Sequence, residues 1–133
     1  MNVMISISYS DICNRLFLLT AQAELQRGDE KLVATEDNAD VLQEFVKQGV
    51  PMLDAAVKLY GGATTENNGV ALSLEMPSNW PNCTAQLEEA AEAFLVAYAL
   101  GAWFAQAGVS YDGGAASYIA AIGDILNRRK KPL

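Results

Sequence analysis

Residues 84–107 read TAQLEEAAEAFLVAYALGAWFAQA, and they predict the longest helix of the chain. Thr84 is suited to cap the first turn, and three glutamates follow near the amino end, where the helix dipole favours carboxylates. No residue from Ala93 to Tyr111 is charged, so the second half of the helix is apolar on every side. We therefore expect this helix to be the buried centre of the fold.

One face of the same helix carries a small residue at every fourth position, namely Ala93, Ala97, Gly101 and Ala105. Such a ridge lets another backbone approach closely, in soluble bundles as well as in membrane helices. A membrane span needs about 20 strongly apolar residues. Alanine, glycine, Gln106 and Ser110 dilute the apolar character of this stretch, so we predict no membrane-spanning segment.

Apolar residues at helical spacing predict three further helices. They cover about residues 9–26, about residues 39–60, and the stretch from about 113 to 126. Ser8 and Asp11 have the spacing of a capping box at the start of the first helix, and Gly28 is expected to end it. Pro51 removes a backbone donor from the second, so we expect a kink or two shorter helices there. Asp112 is positioned to cap the last helix.

Residues 70–76 alternate apolar and other side chains, which predicts a strand that Pro77 ends. The sequence Asn67-Asn68-Gly69 before it is a turn signal. A shorter strand-like segment covers residues 3–7. Because one strand cannot stand alone, we expect residues 70–76 to pair with residues 3–7, with residues 31–35 or with a neighbouring subunit.

These patterns together predict a mainly α fold, a bundle of about four helices around the long central helix, with a short β element. The chain has 133 residues, of which 51% are apolar, and this is enough for one hydrophobic core. We therefore expect a single helical domain over residues 1–133, with the strand-like segment 3–7 at one end and a basic tail, residues 128–133, at the other.

The charge of the chain is strongly acidic, with 16 acidic and 9 basic residues and a net charge of -7. Four of the basic residues form one run, Arg128-Arg129-Lys130-Lys131, so the remainder is still more acidic. Such a surface repels nucleic acid and anionic lipid. We expect no membrane partner, and contact with nucleic acid only indirectly or through this run, which we interpret as a flexible arm used in assembly.

The absence of histidine excludes Ser-His-Asp and Cys-His catalysis and histidine-ligated zinc. Cys13 and Cys83 are too few for a disulfide scaffold, and we interpret both as reduced thiols packed as small apolar groups. No complete catalytic motif is present, so we predict neither catalytic residues nor a cofactor. No basic, apolar and small-residue succession marks a secretory signal, and we expect a cytoplasmic protein.

Three carboxylates, Glu88, Glu89 and Glu92, offer an alternative. Residues at i and i+4 share a helix face, and their oxygens suit Mg²⁺. The E-E-x-x-E run is similar to the first half of the metal motif in all-α nucleoside-triphosphate pyrophosphatases. The second half, E-x-x-D, is missing, because only Asp112 and Asp124 follow. We favour a solvated acidic first turn over a metal site and keep an Mg²⁺-dependent hydrolase as the alternative.

Apolar and aromatic residues that exceed the needs of one small bundle suggest contacts between subunits. An exposed strand edge at residues 70–76 would favour pairing between copies. The candidate interface residues are Val70, Leu72, Leu74, Trp80, Trp103 and Phe104.

One arrangement of motifs points to a family. The runs Asp40-Val41-Leu42, Leu53-Asp54-Ala55-Ala56 and Leu59-Tyr60-Gly61-Gly62 precede a β segment, and the alanine-rich run Leu87–Tyr98 follows it. Over about residues 36–107 this resembles the tailed-phage head–tail connector (adaptor) proteins. The resemblance implies small, mostly helical subunits without enzymatic activity, which form a ring between portal and tail.

We therefore expect a non-enzymatic structural protein, a phage or prophage head–tail connector subunit that acts in virion assembly. The resemblance implies a ring-type homo-oligomer, portal or tail proteins as partners, and a place in the host cytoplasm and the virion. The alternatives are the Mg²⁺-dependent hydrolase and a small protein-interaction module with a helical binding face.

Overall fold

The computed structural model describes residues 1–27 and 32–132, without the side chains of residues 24–27. In chain order these ranges contain β1 (Asn2–Ser8), α1 (Tyr9–Arg27), α2 (Ala39–Val57), β2 (Gly61–Glu66), β3 (Gly69–Glu75), α3 (Thr84–Gln106) and α4 (Ala115–Leu126). A 3-10 turn, Glu36–Asn38, precedes α2. The predicted end of the first helix at Gly28 and the end of the basic tail at Leu133 lie outside the described residues.

The three strands form one antiparallel sheet in the order β1-β3-β2. The strand predicted at residues 70–76 is confirmed as β3, but it is the central strand and not an exposed edge. Its partners are β1, which was one of the three expected, and β2, which was not predicted. Residue 31 of the segment 31–35 is outside the described residues, and residues 32–35 form no strand.

The prediction of a helical bundle around a long central helix is wrong, because the chain combines four helices with this sheet in an α+β fold. The strand β2 escaped prediction because its sequence, GGATTE, contains no large apolar residue and only Ala63 is buried. The hairpin turn at Asn67 and Asn68 was predicted correctly. The alternating apolar side chains of residues 3–7 and 70–76 therefore lie on two neighbouring strands of one sheet.

The core lies between one face of the sheet and the helices α2 and α3. The side chains of Val3, Ile5 and Ile7 are buried on that face, beside Val70, Leu72 and Leu74 of β3. The outer face of the sheet carries small or polar residues apart from Met4. The one-sided alternation typical of antiparallel sheets thus explains the patterns read from both strands.

The predicted cap residues of α3 and α4 differ from those in the structure, whereas the bond predicted at the start of α1 is present. The hydroxyl of Ser8 accepts a hydrogen bond from the backbone N–H of Asp11 at 3.0 Å, as predicted for α1. Thr84 is the first residue of α3 and not its cap, because Cys83 occupies the N-cap position. Gly114 occupies the N-cap of α4 at a φ of 80°, and Asp112 instead accepts the N–H of Gly114 at 2.9 Å.

The helix α2 continues through Pro51, so two shorter helices are not formed.

The predicted small-residue ridge of α3 is in close contact with another segment of the same chain. A Cβ atom added to Gly113 would lie 3.1 Å from the carbonyl oxygen of Ala97. No helix within residues 1–27 and 32–132 combines the length and the apolar character that a membrane span requires.

A carboxylate of α2 closes the outer edge of β2. Asp54 Oδ1 accepts a hydrogen bond from the N–H of Ala63 at 2.9 Å, and Asp54 Oδ2 lies 3.4 Å from the ammonium of Lys58. The bond from Ala63, assisted by Lys58, lowers the pKa of Asp54 below its usual value. This carboxylate therefore ties the edge strand to the helix in its ionised form.

Gly61 and Gly69 permit the close approach of the strands, and substitution of Gly69 tests this packing. A Cβ atom on Gly69 would collide with the carbonyl oxygen of Ile7. We expect Gly69→Ala to destabilise the protein by at least about 1 kcal/mol, measured by chemical denaturation. Gly123→Ala is the control, because a Cβ there meets no atom within 4 Å in a helix interior; it should stabilise by about 0.5–1 kcal/mol. Equal effects of the two substitutions would contradict the described strand packing.

The pKa of Asp54 predicts an acid-dependent part of the stability. Because the folded-state pKa is lowered, the contribution is complete above the unfolded-state pKa and is lost as the pH falls through the folded-state value. We expect Asp54→Asn to lower the free energy of unfolding at neutral pH and the difference from wild type to shrink in acid. Asp54→Ala, which also removes the acceptor, should be less stable than Asp54→Asn. A difference that stays constant from pH 7 to pH 2 would contradict this assignment.

Candidate interaction surfaces

The six residues predicted as interface candidates all lie in the core. Val70, Leu72, Leu74, Trp80, Trp103 and Phe104 are each at most 6% exposed. Trp80 donates its indole N–H to the carbonyl of Ile125 at 2.9 Å, and Trp103 donates to the carbonyl of Leu32 at 2.8 Å. In this fold their side chains therefore stabilise the subunit and are not available to a partner.

A different set of apolar residues is exposed, along one side of α2. Val41 is 43% exposed and Met52 is 49% exposed, and Leu59, just past the helix end, is 92% exposed. Val41 and Met52 are 11 residues apart, which is three turns of helix, so their side chains share a face of α2. Leu59 lies two residues beyond the last residue of the helix. We call Val41, Met52 and Leu59 the α2 stripe. Half-buried Phe45 lies in the same row.

The charged residues of α2 lie on another side of the helix. Lys47 pairs with Glu44 at 3.2 Å, and Lys58 pairs with Asp54 at 3.4 Å. The α2 stripe therefore lies next to the core-facing side and away from these ion pairs, and one exposed polar residue, Gln48, lies in its row before Met52. The helix predicted over about residues 39–60 contains all three residues, but periodicity did not identify them as exposed, because exposure depends on where the other elements pack.

A second surface feature is a groove of about 320 Å³ between α1, α3 and α4. Small residues form much of it, including Ala90, Ala93 and Ala121, and Tyr118 contributes a partly exposed ring. Arg15 stands at its side. No residue of the α2 stripe lines this groove, so the two surfaces are separate.

The three glutamates of the hydrolase alternative line a third hollow, of about 270 Å³, together with Asp11 and the strand residues Ser6 and Ile7. One of them is engaged, since Glu92 Oε2 lies 3.1 Å from Arg15 Nη1. Within the described ranges, no three carboxylate, thiol or imidazole groups are grouped so that they could hold a metal ion. The arrangement offers negative charge beside β1.

A cavity of about 470 Å³ opens at the start of α1 and is lined mainly by hydroxyl and carboxamide groups, among them those of Ser10, Asn14 and Gln43. Two protonated groups belong to its wall. Burial raises the pKa of Cys13, and burial also raises the pKa of Tyr9, against a smaller opposing effect of Lys47. Cys13 is therefore a thiol at neutral pH and lacks the thiolate character that nucleophilic chemistry needs.

The basic run at the end of the chain is not a free arm. Arg129 donates to the hydroxyl of Tyr60 at 2.9 Å, with its guanidinium 5.8 Å from the centre of that ring. Arg128 donates to the side chain of Gln86, and the backbone N–H of Lys130 donates to the carbonyl of Asn79 at 2.7 Å. These contacts fix residues 128–130 against the body, which corrects the prediction of a flexible arm. Only Lys131 of the four basic residues has no such contact within the described chain.

The chain was compared with models of protein families, with curated proteins and with solved structures. None of the three comparisons finds a match.

Proposed function

We propose that this chain is a non-enzymatic structural subunit that assembles with copies of itself. Within that class, we propose a head–tail connector subunit of a phage or prophage, which forms a ring and contacts portal or tail proteins. The observation that carries the proposal is the α2 stripe, with Val41 and Met52 exposed on one face of α2 and Leu59 exposed just past the helix end.

The energetic argument concerns the apolar area that the stripe leaves in water. Burying one leucine or methionine side chain is worth about 1.5–3 kcal/mol relative to exposure. Two such residues on one helix face, with a third just past the helix end, therefore favour an interface over solvent. Single exposed apolar residues need no explanation, but a set of three along one element does.

A ring requires each copy to present two different surfaces that fit one another. We assign the α2 stripe as one of these surfaces and the groove between α1, α3 and α4 as the other. The small side chains of Ala90, Ala93 and Ala121 leave room in the groove for projecting side chains such as Met52 and Leu59. Tyr118 at the groove supplies an aromatic contact of the kind enriched in interfaces.

Two further observations support the connector as the particular assembly. The order of α2, the β2–β3 hairpin and α3 over residues 36–107 agrees with the pattern that resembles the connector family. The net charge of -7 suits a ring through which DNA must pass without adhering.

Quantitative mass spectrometry of purified phage particles tests the connector assignment. We expect this chain in a fixed ratio to the portal protein, and its absence from the particles would contradict the assignment.

The assembly proposal predicts a mass that depends on the α2 stripe. Light scattering behind a sizing column should give an average mass above that of the monomer, rising with concentration. The double variant Met52→Gln/Leu59→Gln should lower the association constant about tenfold or more, because it removes the apolar gain at each interface. Tyr118→Ser, in the groove, should act in the same direction.

Met4→Gln is the matched control, because Met4 is 64% exposed on the outer face of the sheet and outside both surfaces. It makes the same chemical change as Met52→Gln and should leave the mass profile unchanged. A monomeric wild type over the whole concentration range, or an equal effect of Met4→Gln, would overturn the proposed interface.

A further inference from the structure

The two edge strands of the sheet, β1 and β2, differ in whether their outward backbone groups are bonded to other parts of the chain. At β2, Tyr60 accepts the N–H of Glu75 at 2.8 Å, so that Gly62 and Thr64 bond to β3 and the backbone N–H of Ala63 points away from β3. This N–H is already bonded to Asp54. The β2 edge is therefore protected by α2 at its middle.

The hydrogen-bond pattern of β1 identifies which of its groups face outward. Tyr9 donates to the carbonyl of Asn68 at 2.9 Å, and Met76 donates to the carbonyl of Met1 at 2.7 Å. Bonded and non-bonded pairs alternate along an antiparallel ladder, so Val3, Ile5 and Ile7 also bond to β3. The N–H and C=O groups of Asn2, Met4 and Ser6 consequently point away from the sheet.

These outward groups have no partner in the described part of the chain. Natural proteins commonly protect such an edge with charged side chains, proline or a bulge. The sequence of β1, NVMISIS, contains neither a charge nor a proline, and its register with β3 runs unbroken from Asn2 to Ser8. The edge is thus regular and unprotected over seven residues, which is the form that accepts an added strand.

The surroundings of this edge are acidic. The hollow of about 270 Å³ that begins at Ser6 and Ile7 is bordered by Asp11, Glu88 and Glu89. Arg15 is paired with Glu92 and leaves the other three carboxylates without a salt bridge among the described residues. A strand laid along β1 would therefore run beside two or three uncompensated negative charges.

We propose that the free edge of β1 binds an extended, basic segment of a partner protein by strand addition. Backbone hydrogen bonds to Asn2, Met4 and Ser6 hold the segment, and Asp11, Glu88 and Glu89 select lysine or arginine side chains on it. This surface is separate from the α2 stripe and shares Glu89 with the groove between α1, α3 and α4. Strand addition to the backbone of β1 does not itself require ring assembly.

The same charges argue against a second copy of this chain as the occupant. Two β1 edges that paired with each other would bring Asp11, Glu88 and Glu89 of both copies to one seam, and like charges there oppose association. The carboxylates thus favour a basic partner and disfavour uncontrolled edge-to-edge pairing of identical subunits.

Synthetic peptides with blocked ends test the proposal on the full chain. The probe is a seven-residue peptide of alternating valine and lysine, and the controls carry glutamate for lysine or proline at the centre. Backbone amide shifts of isotope-labelled protein are followed at millimolar peptide concentration. We expect shifts concentrated at Asn2, Met4 and Ser6 with the lysine peptide alone, and weaker binding as salt is raised.

Two variants separate the electrostatic from the backbone contribution. Glu88→Gln/Glu89→Gln should weaken the lysine peptide about two- to fivefold for each charge removed, whereas Glu66→Gln on β2 should have no effect. Ser6→Pro removes one outward N–H at a position where edge strands tolerate proline, and it should weaken binding further while the circular dichroism spectrum is retained.

Three results of the peptide experiment would overturn the proposal. They are equal binding of the lysine, glutamate and proline peptides, shifts located at β2 or at the α2 stripe, and no binding at all. A dimer joined through β1, seen as contacts between Ser6 of two copies, would assign the edge to a second copy and would also overturn it. Because peptide binding and oligomer mass are measured separately, failure here and failure of ring assembly are distinguishable.

Discussion

The fold depends on the pairing of β3 with a strand on each side. This strand bonds to β1 over its whole length and to β2 over six residues, and its side chains Val70, Leu72 and Leu74 are buried in the core. Gly61 and Gly69 allow the neighbouring backbones to approach, because a side chain at either would meet a carbonyl group of the adjacent strand. Without this double pairing, the buried faces of α2 and α3 would lack the surface against which they pack.

Parts of this architecture were accessible from periodicity alone. The first helix, the strand at residues 70–76 and the long helix at 84–106 were predicted within a few residues, since each carries a strong apolar pattern. The sheet as a unit was not, because GGATTE has no apolar row and its place is set by Asp54 and by pairing with β3. Local sequence cannot report a strand whose stability comes from its neighbours.

The surface was harder to predict than the core for a related reason. Periodicity indicates that Trp80 and Trp103 are apolar and large, but their burial depends on carbonyl groups at Ile125 and Leu32, far away in the sequence. The exposed positions, Met52 and Leu59, differ from buried ones only in where the other elements lie. An apolar residue is therefore assigned to the core or to an interface by the tertiary fold and not by its own pattern.

The pairing of β1 with β3 also has a kinetic consequence. Ile5 pairs with Leu72, and Val3 pairs with Leu74, so β1 leaves the ribosome well before its partner strand and must wait for the synthesis of residues about 70 positions later. Contacts so distant along the chain slow folding, because the loop between them must close before they form. Until β3 is synthesised, the β1 segment is thus uncharged and unpaired on the nascent chain. During that time it is open to cellular factors that bind extended segments.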